Sequence, residues 1–282
     1  EQWLPVDVFG VSMSMPREAK PFGRAVYQRK ATYFMPPWQL MPFIFSGFIA
    51  LRTGYQVVPI WVSWYAVAVI TYDLGNNSWT EMPEWHYLLL LVFMYLWVHM
   101  MHTLLRFLFD VNMKWLIIGR RQPGLYPWDR SSYCLRWKIF EGLCSDTLRD
   151  LPLLGGSAFL PAFYNLMGSR IGRYVCLYPT GADPPMVEPD LVVIEDLACV
   201  NFCHIICHTN TLGSFALNRI VIKSGATLCT ESRLMGGVVI GQDAVLLEHT
   251  MAMVGDEVEP GTLWQGWPVQ TIGAADNKAF NP

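Results

Sequence analysis

The chain has 282 residues, of which 52% are hydrophobic and 15% charged, with a formal net charge of -3. With 12 Trp, 14 Met and 15 Phe, this composition speaks against an ordinary soluble domain and points to a membrane protein. No nucleic-acid partner is expected, because nearby apolar spans account for the basic, aromatic stretch at residues 110–165.

Residues 1–35 form an N-terminal extension carrying Arg17, Lys20, Arg24, Arg29 and Lys30. The first residue is Glu and no cleavable signal peptide is visible, as expected of a processed or excised piece of a longer protein. Residues 36–109 read as a transmembrane helical region with two spans, about 55–73 and 85–107. Val57–Tyr72 and Trp85–Leu105 contain no Asp, Glu, Lys or Arg. With flanking residues each reaches the roughly 20 apolar residues that a hydrocarbon core requires. Both are apolar on every face, unlike the amphipathic helices of a soluble core. Pro42 and Pro59 suit membrane helices. Trp38–Leu51 is apolar but short and is followed by Arg52, so it is expected to lie in the interface or re-enter; a third crossing is the alternative.

Charge sets the orientation. Lys114, Arg120, Arg121, Arg130, Arg136 and Lys138 follow the last span, whereas the loop Asp73–Glu84 carries only acids. The positive-inside rule puts both basic flanks on the cytosol-like side, which requires an even number of crossings. Asn76-Asn77-Ser78 is a glycosylation sequon on the opposite side.

Residues 110–165 form an amphipathic connector. Trp115, Tyr126, Trp128, Tyr133 and Trp137 alternate with Arg and Lys, a composition suited to the headgroup layer. The seven cysteines are odd in number and lack the spacing of a disulfide framework, so they are expected to be reduced on a cytosol-like side.

From residue 166 to 272 the period changes to six. Ile222, Leu228, Leu234, Ile240, Leu246, Ala252, Val258 and Trp264 are spaced six apart. Two residues before most rungs sits a small one: Ala226, Ser232, Val238, Ala244, Thr250 and Thr262, with Asp256 the exception. Neither a helix nor a flat sheet repeats every six residues. A three-sided parallel β-helix does, and stacking its coils buries a column that no single coil can bury. An earlier fragment reads Ile171, Leu177, Ile194, Val200, Ile206. The gap to Ile222 implies a loop inserted at a corner, roughly Cys207–Asn218. The Pro-rich segment Gly181–Pro189 explains the irregular step before Ile194, because Pro cannot donate to a sheet ladder. Insertions of this kind carry the binding surfaces of solenoids. Residues 273–282 are a tail.

Several stretches resemble a known family. The C-terminal third is similar to the hexapeptide-repeat acyltransferases of left-handed β-helix fold, and Pro260-Gly261-Thr262 through Gly266-Trp267-Pro268 resembles their closing motif. The order of membrane helices, then Lys114–Arg120, Pro123–Pro127, Leu135–Trp137 and Met167–Gly172, then the coil, resembles the C-terminal modules of ε-poly-L-lysine synthetase-like peptide synthetases. Family glycines are replaced here by Glu195, Asn201, Lys223 and Cys229, and the adenylation and carrier domains of such synthetases are absent. The fold so implied is an α + β membrane protein: N-terminal transmembrane helices, then a left-handed parallel β-helix.

The resemblance implies acyl or aminoacyl transfer from a CoA or phosphopantetheine thioester to an amine or hydroxyl, with no tightly bound cofactor. A histidine serves the family as general base, and its pKa suits that role. His208, where the inserted loop leaves the coil, matches the family's loop-entry histidine; a solvated loop histidine is the alternative. His204 is expected at a small-residue corner. One coil is eighteen residues, so Glu231 lies beneath His249, and a carboxylate beside an imidazole fixes its tautomer; a surface ion pair is the alternative. Gly236 and Gly237 are expected on an outward corner that a pantetheine arm approaches. No metal site is expected, since Cys203 and Cys207 fall on different faces. Expected partners are the lipid bilayer, other membrane-complex subunits or a carrier or adenylation protein, with a homo-oligomer left open. The rival reading is a non-catalytic assembly subunit, a scaffold of γ-carbonic-anhydrase-like or degenerate β-helix type.

Overall fold

A computed structural model describes residue 39 and residues 41–73, 84–127, 131–144, 154–179, 186–211 and 214–275. The extension 1–35, the sequon, Trp128, residues 181–185 of the Pro-rich segment and the last residues of the tail lie outside these.

Two long helices come first, α1 (Met41–Asp73) and α2 (Glu84–Met113). α1 runs without interruption, so residues 41–51, expected as a separate interfacial element, are its first turns. The helices pack on each other, with Tyr55 edge-on to Phe109 at 4.9 Å between ring centroids. Among the described residues one helical segment, Leu88–Ile118, is long and apolar enough to cross a membrane, with a mean hydropathy of 1.9 over its most apolar 18 residues. Two such segments were expected. Gln56, Ser63 and several Trp and Tyr residues interrupt the aliphatic character of α1. α2 leaves Leu88, Leu89, Phe93, Tyr95 and Leu96 exposed.

α2 continues into a π-helical turn, Lys114–Ile118, which Gly119 ends with φ 69°. Only glycine enters that left-handed region without strain. A short strand (Gly124–Pro127) and helix α3 (Ser132–Cys144) follow. Helix α4 (Phe159–Leu166) caps the first coil, burying Leu160, Phe163 and Tyr164. Phe163 also meets Phe107 of α2 at 5.1 Å. Asn165 completes the cap. Its Oδ1 accepts from the Ile171 N–H at 2.8 Å and its Nδ2 donates to the Ile171 carbonyl at 3.1 Å. A side-chain amide thereby occupies backbone groups that an open solenoid end would leave unpaired.

The C-terminal part is a parallel β-helix of three faces. The first face stacks Ile171, Ile194, Ile222, Ile240 and Val258 in register. On the second, Leu177, Val200, Leu228, Leu246 and Trp264 stack likewise. The third carries Ile205, Leu234 and Ala252. These side chains are all buried except Trp264, which ends the column half-buried. A fully buried Leu or Ile contributes roughly 1.5–3 kcal/mol relative to an exposed one, so the column is the main source of stability. The antiparallel strand Gln270–Ala274 pairs with Thr262–Gln265 and covers that end of the second face.

The earlier ladder needs one correction. Ile205, not Ile206, aligns with Leu234, and Ile206 lies outward beside Met235. Val200 and the next rung are five residues apart because that corner is one residue shorter than its neighbours. The buried Cys203 takes the small-residue position there, and its chain neighbour His204 pairs with Arg233 on the strand, not at the corner. Ile205→Ala is therefore expected to cost about 2–5 kcal/mol, and Ile206→Ala under about 1 kcal/mol. Denaturant unfolding of both variants measures the difference; equal costs would overturn this register.

Two of the positions that depart from the family glycine form a pair. Glu195 and Lys223 lie on adjacent coils with Oε1 and Nζ 2.9 Å apart. The contact is solvent-exposed and contributes at most about 1 kcal/mol.

Candidate active site

The insertion between Ile205 and Ile220 is a β-hairpin. Strands His208–Thr211 and Ser214–Leu217 pair antiparallel, and Gly124–Pro127 of the connector adds a third strand beside the second. The hairpin is closed at its base, where the Asn218 N–H donates to the Cys207 carbonyl at 2.9 Å. Gly236 is pressed against that base. A Cβ there would lie 2.6 Å from the Cys207 carbonyl oxygen, so only glycine fits. The expected outward position of Gly236 is thus replaced by a buried one. Gly237, half-buried with φ 95°, turns the chain next to it.

His208 begins the hairpin, and its surroundings are built by three separate segments. Phe215 of the second strand stacks on the imidazole at 5.1 Å and 11°. Trp137 of α3 meets it edge-on at 5.7 Å. Glu188 reaches its Nδ1 with Oε1 at 2.8 Å. The Glu188 side chain is fully buried while that of His208 is 26% exposed. A carboxylate can only accept, so Nδ1 carries the hydrogen and Nε2 is left with the lone pair. Burial alone would lower the pKa of His208; the hydrogen bond and charge of Glu188 more than reverse this and raise it above 6.5.

Glu188 is held in place by the residues around it. It precedes the short helical turn Pro189–Leu191, whose Leu191 N–H donates to the Glu188 carbonyl at 3.0 Å. Asp190 of that turn is clamped by Arg121: the Arg121 N–H donates to Oδ2 at 2.6 Å and Nη1 to Oδ1 at 2.8 Å. Lys114 approaches the same carboxylate at 3.2 Å, and Arg121 Nε donates to the Tyr133 hydroxyl at 3.0 Å. Burial pushes the Asp190 carboxyl up, but Arg121 and Lys114 outweigh it and hold the pKa below the ordinary carboxylate value.

The other expected residues lie elsewhere. Glu231 and His249 both occupy left-handed corners, at φ 60° and 55°. The two corners stack: the Glu231 N–H donates to the Phe202 carbonyl and the His249 N–H to that of Thr230. The backbone arithmetic holds, yet the Glu231 carboxylate turns to His204, with Oε2 3.4 Å from Nε2, and His249 is exposed. The carboxylate–imidazole pair that hydrogen-bonds is therefore Glu188–His208, not Glu231–His249. Among the described residues no group of His, Cys, Asp or Glu converges as a metal site.

Glu188 escaped the sequence reading. Its signal was two acids flanking Pro189 within the apolar run Met186–Ile194. Charges inside such a run are buried and require partners.

No family model matches the chain. By sequence the chain is similar to the delta-poly-L-ornithine synthetase of Acinetobacter baumannii (strain AB307-0294), 28% identical over 172 residues. The match covers 57% of this chain and only 12% of that protein. Among solved structures, a hexapeptide-repeat acetyltransferase of Vibrio cholerae O1 biovar eltor with acetyl coenzyme A is 18% identical, with a TM-score of 0.37, over 49% of this chain and 90% of that one. A galactoside acetyltransferase with coenzyme A is 12% identical, with a TM-score of 0.40, over 57% and 90%. The sequence similarity to a polyamino-acid synthetase agrees with the resemblance that the residues suggested.

Proposed function

We propose that the chain is a membrane-anchored acyltransferase module using a CoA or carrier-bound thioester as donor and an amine or hydroxyl as acceptor. The observation that carries this reading is the 2.8 Å bond between His208 Nδ1 and the buried Glu188, on an imidazole that still reaches solvent. The acceptor attacks the thioester carbonyl. His208 Nε2 removes the proton from the attacking nitrogen or oxygen, the C–S bond breaks, and the imidazolium returns that proton to the departing thiolate. Glu188 keeps Nδ1 protonated and stabilises the imidazolium that forms. The family resemblance and the partial similarity to a poly-ornithine synthetase support thioester and amine chemistry. His249, exposed at its corner and without Glu231 as a partner, is the secondary candidate base. Gly237, beside the hairpin base, is the candidate approach for a pantetheine arm.

The testing experiment is thiol release from acetyl-CoA by the full chain in detergent micelles, with alkylamine, amino-acid and hydroxyl acceptors. Acceptor-dependent release is expected. Its absence with every class of acceptor and with a carrier thioester would overturn the reading in favour of an assembly subunit.

The anchor is α2, whose exposed aliphatic and aromatic residues suit lipid, and the solenoid lies on the basic, cytosol-like side. The chain is expected to stay in the membrane pellet after an alkaline carbonate wash. Complete release into the supernatant would contradict integral anchoring.

A further inference from the structure

We propose that Arg121 and Asp190 are positioning residues for His208, acting through Glu188 and linking the end of the long apolar helix to the imidazole. Only the activity arm of the test rests on the transferase reading.

The link is continuous. Lys114, in the turn that ends α2, meets Asp190 at 3.2 Å. Arg121 grips both carboxylate oxygens of Asp190, one through its backbone and one through its guanidinium. A single residue, Pro189, separates Asp190 from Glu188, and its ring fixes φ. Glu188 then holds His208. All four charged side chains before the imidazole are buried. Three polar atoms in this group lack a hydrogen-bond partner: Arg121 Nη2 and Lys114 Nζ, donors (the latter only ion-paired with Asp190), and Glu188 Oε2, an acceptor. The Arg121 charge also acts electrostatically on both Glu188 and His208.

That arrangement has a consequence for the imidazole. Asp190 occupies the Arg121 guanidinium. With the Asp190 charge removed, Glu188 is the buried carboxylate left to neutralise Arg121, and the guanidinium competes with His208 for it. The charged groups facing His208 are Glu188 from the turn, Glu141 from α3 and Arg121 from the connector. Of these, Glu188 alone hydrogen-bonds the ring. Weakening that bond lowers the proton affinity of the imidazole and frees the ring to rotate between Trp137 and Phe215.

The test is an NMR titration of the 15N-labelled His208 imidazole in the full chain in micelles, assigned with His208→Asn. The wild-type midpoint is expected above 6.5. In Asp190→Asn it is expected to fall by about one pH unit, as for loss of a charged partner. Arg121→Lys keeps the charge but loses the fork and should shift it in the same direction. Thiol release should fall about tenfold, with its acid limb following the midpoint. A purely structural clamp would reduce the yield of folded protein and leave the midpoint in place. Unchanged midpoints in both folded variants would overturn the inference, as would loss of the fold in both. If Asp190→Asn alone fails to fold, Arg121→Lys decides. Absence of transfer in the wild type would sink the transferase reading and leave the titration to judge this one.

Discussion

Replacing His208 by alanine is expected to lower acceptor-dependent thiol release by about 10²–10⁴-fold, the range for loss of a positioned general base. The Michaelis constant for the thioester should change little, because the imidazole acts on the acceptor and not on the donor's binding. Steady-state kinetics separate the two parameters. The size of the effect follows from the site. Nδ1 is committed to Glu188 at 2.8 Å, so one nitrogen is presented to the acceptor in one tautomer. Glu188→Gln should retain the shape and lose the charge, with an intermediate defect. Full activity in His208→Ala would remove this residue from the chemistry and turn attention to His249.

The same pair fixes the pH dependence. A base must be neutral to accept a proton, and the folded pKa of His208 is raised above 6.5. Activity is therefore expected to climb as pH rises through a midpoint above 6.5 and then level off. Stability runs the other way. Since the folded pKa exceeds the unfolded one, the pair's stabilisation is fully present below about 6.5 and is lost as pH rises through the folded value. Over one pH interval the site becomes more active and less stabilised. Thermal unfolding and initial rates across pH 6–9 measure both, and parallel trends would contradict the assignment.

What the sequence revealed and what it hid divide along physical lines. The column from Ile222 to Val258 was legible because its period of six has no competing explanation in helices or flat sheets. The hairpin was bracketed correctly at Cys207–Asn218, since its closing hydrogen bond falls at those residues. Ile206 was misplaced because a corner shortened by one residue leaves no mark when a Cys can serve as the small residue and two isoleucines adjoin. Stacking of residues 231 and 249 followed from backbone arithmetic, but a backbone period does not dictate where a carboxylate turns; Glu231 chose His204. Glu188 was hidden for the opposite reason. It sits next to the Pro-rich interruption, where the period fails, and twenty residues from His208. His208 was singled out from the sequence; its partner Glu188 was set by tertiary contact.

Asp190→Ala is expected to cost about 3–5 kcal/mol of stability, the range for removing one partner of a buried ion pair. Both Asp190 and its two cations have side chains withdrawn from solvent. Deleting the carboxylate leaves Arg121 and Lys114 buried together with like charge, and the penalty is their desolvation more than the lost attraction. Lys114→Met makes the opposite case. Arg121 still holds both Asp190 oxygens, and Met fills similar volume without a charge to desolvate, so the expected change is about zero or slightly stabilising. Denaturant unfolding in micelles, followed by circular dichroism of the solenoid, compares the two. Acid unfolding adds an independent arm. The folded pKa of Asp190 lies below its ordinary 3.8, so its contribution is present above about 4 and lost as pH falls through the folded value. Wild type should lose that increment on acidification and Asp190→Ala should have none to lose. Equal, small costs for both substitutions would show that the three charges are solvated, and the clamp between the apolar helix and the solenoid would then hold nothing.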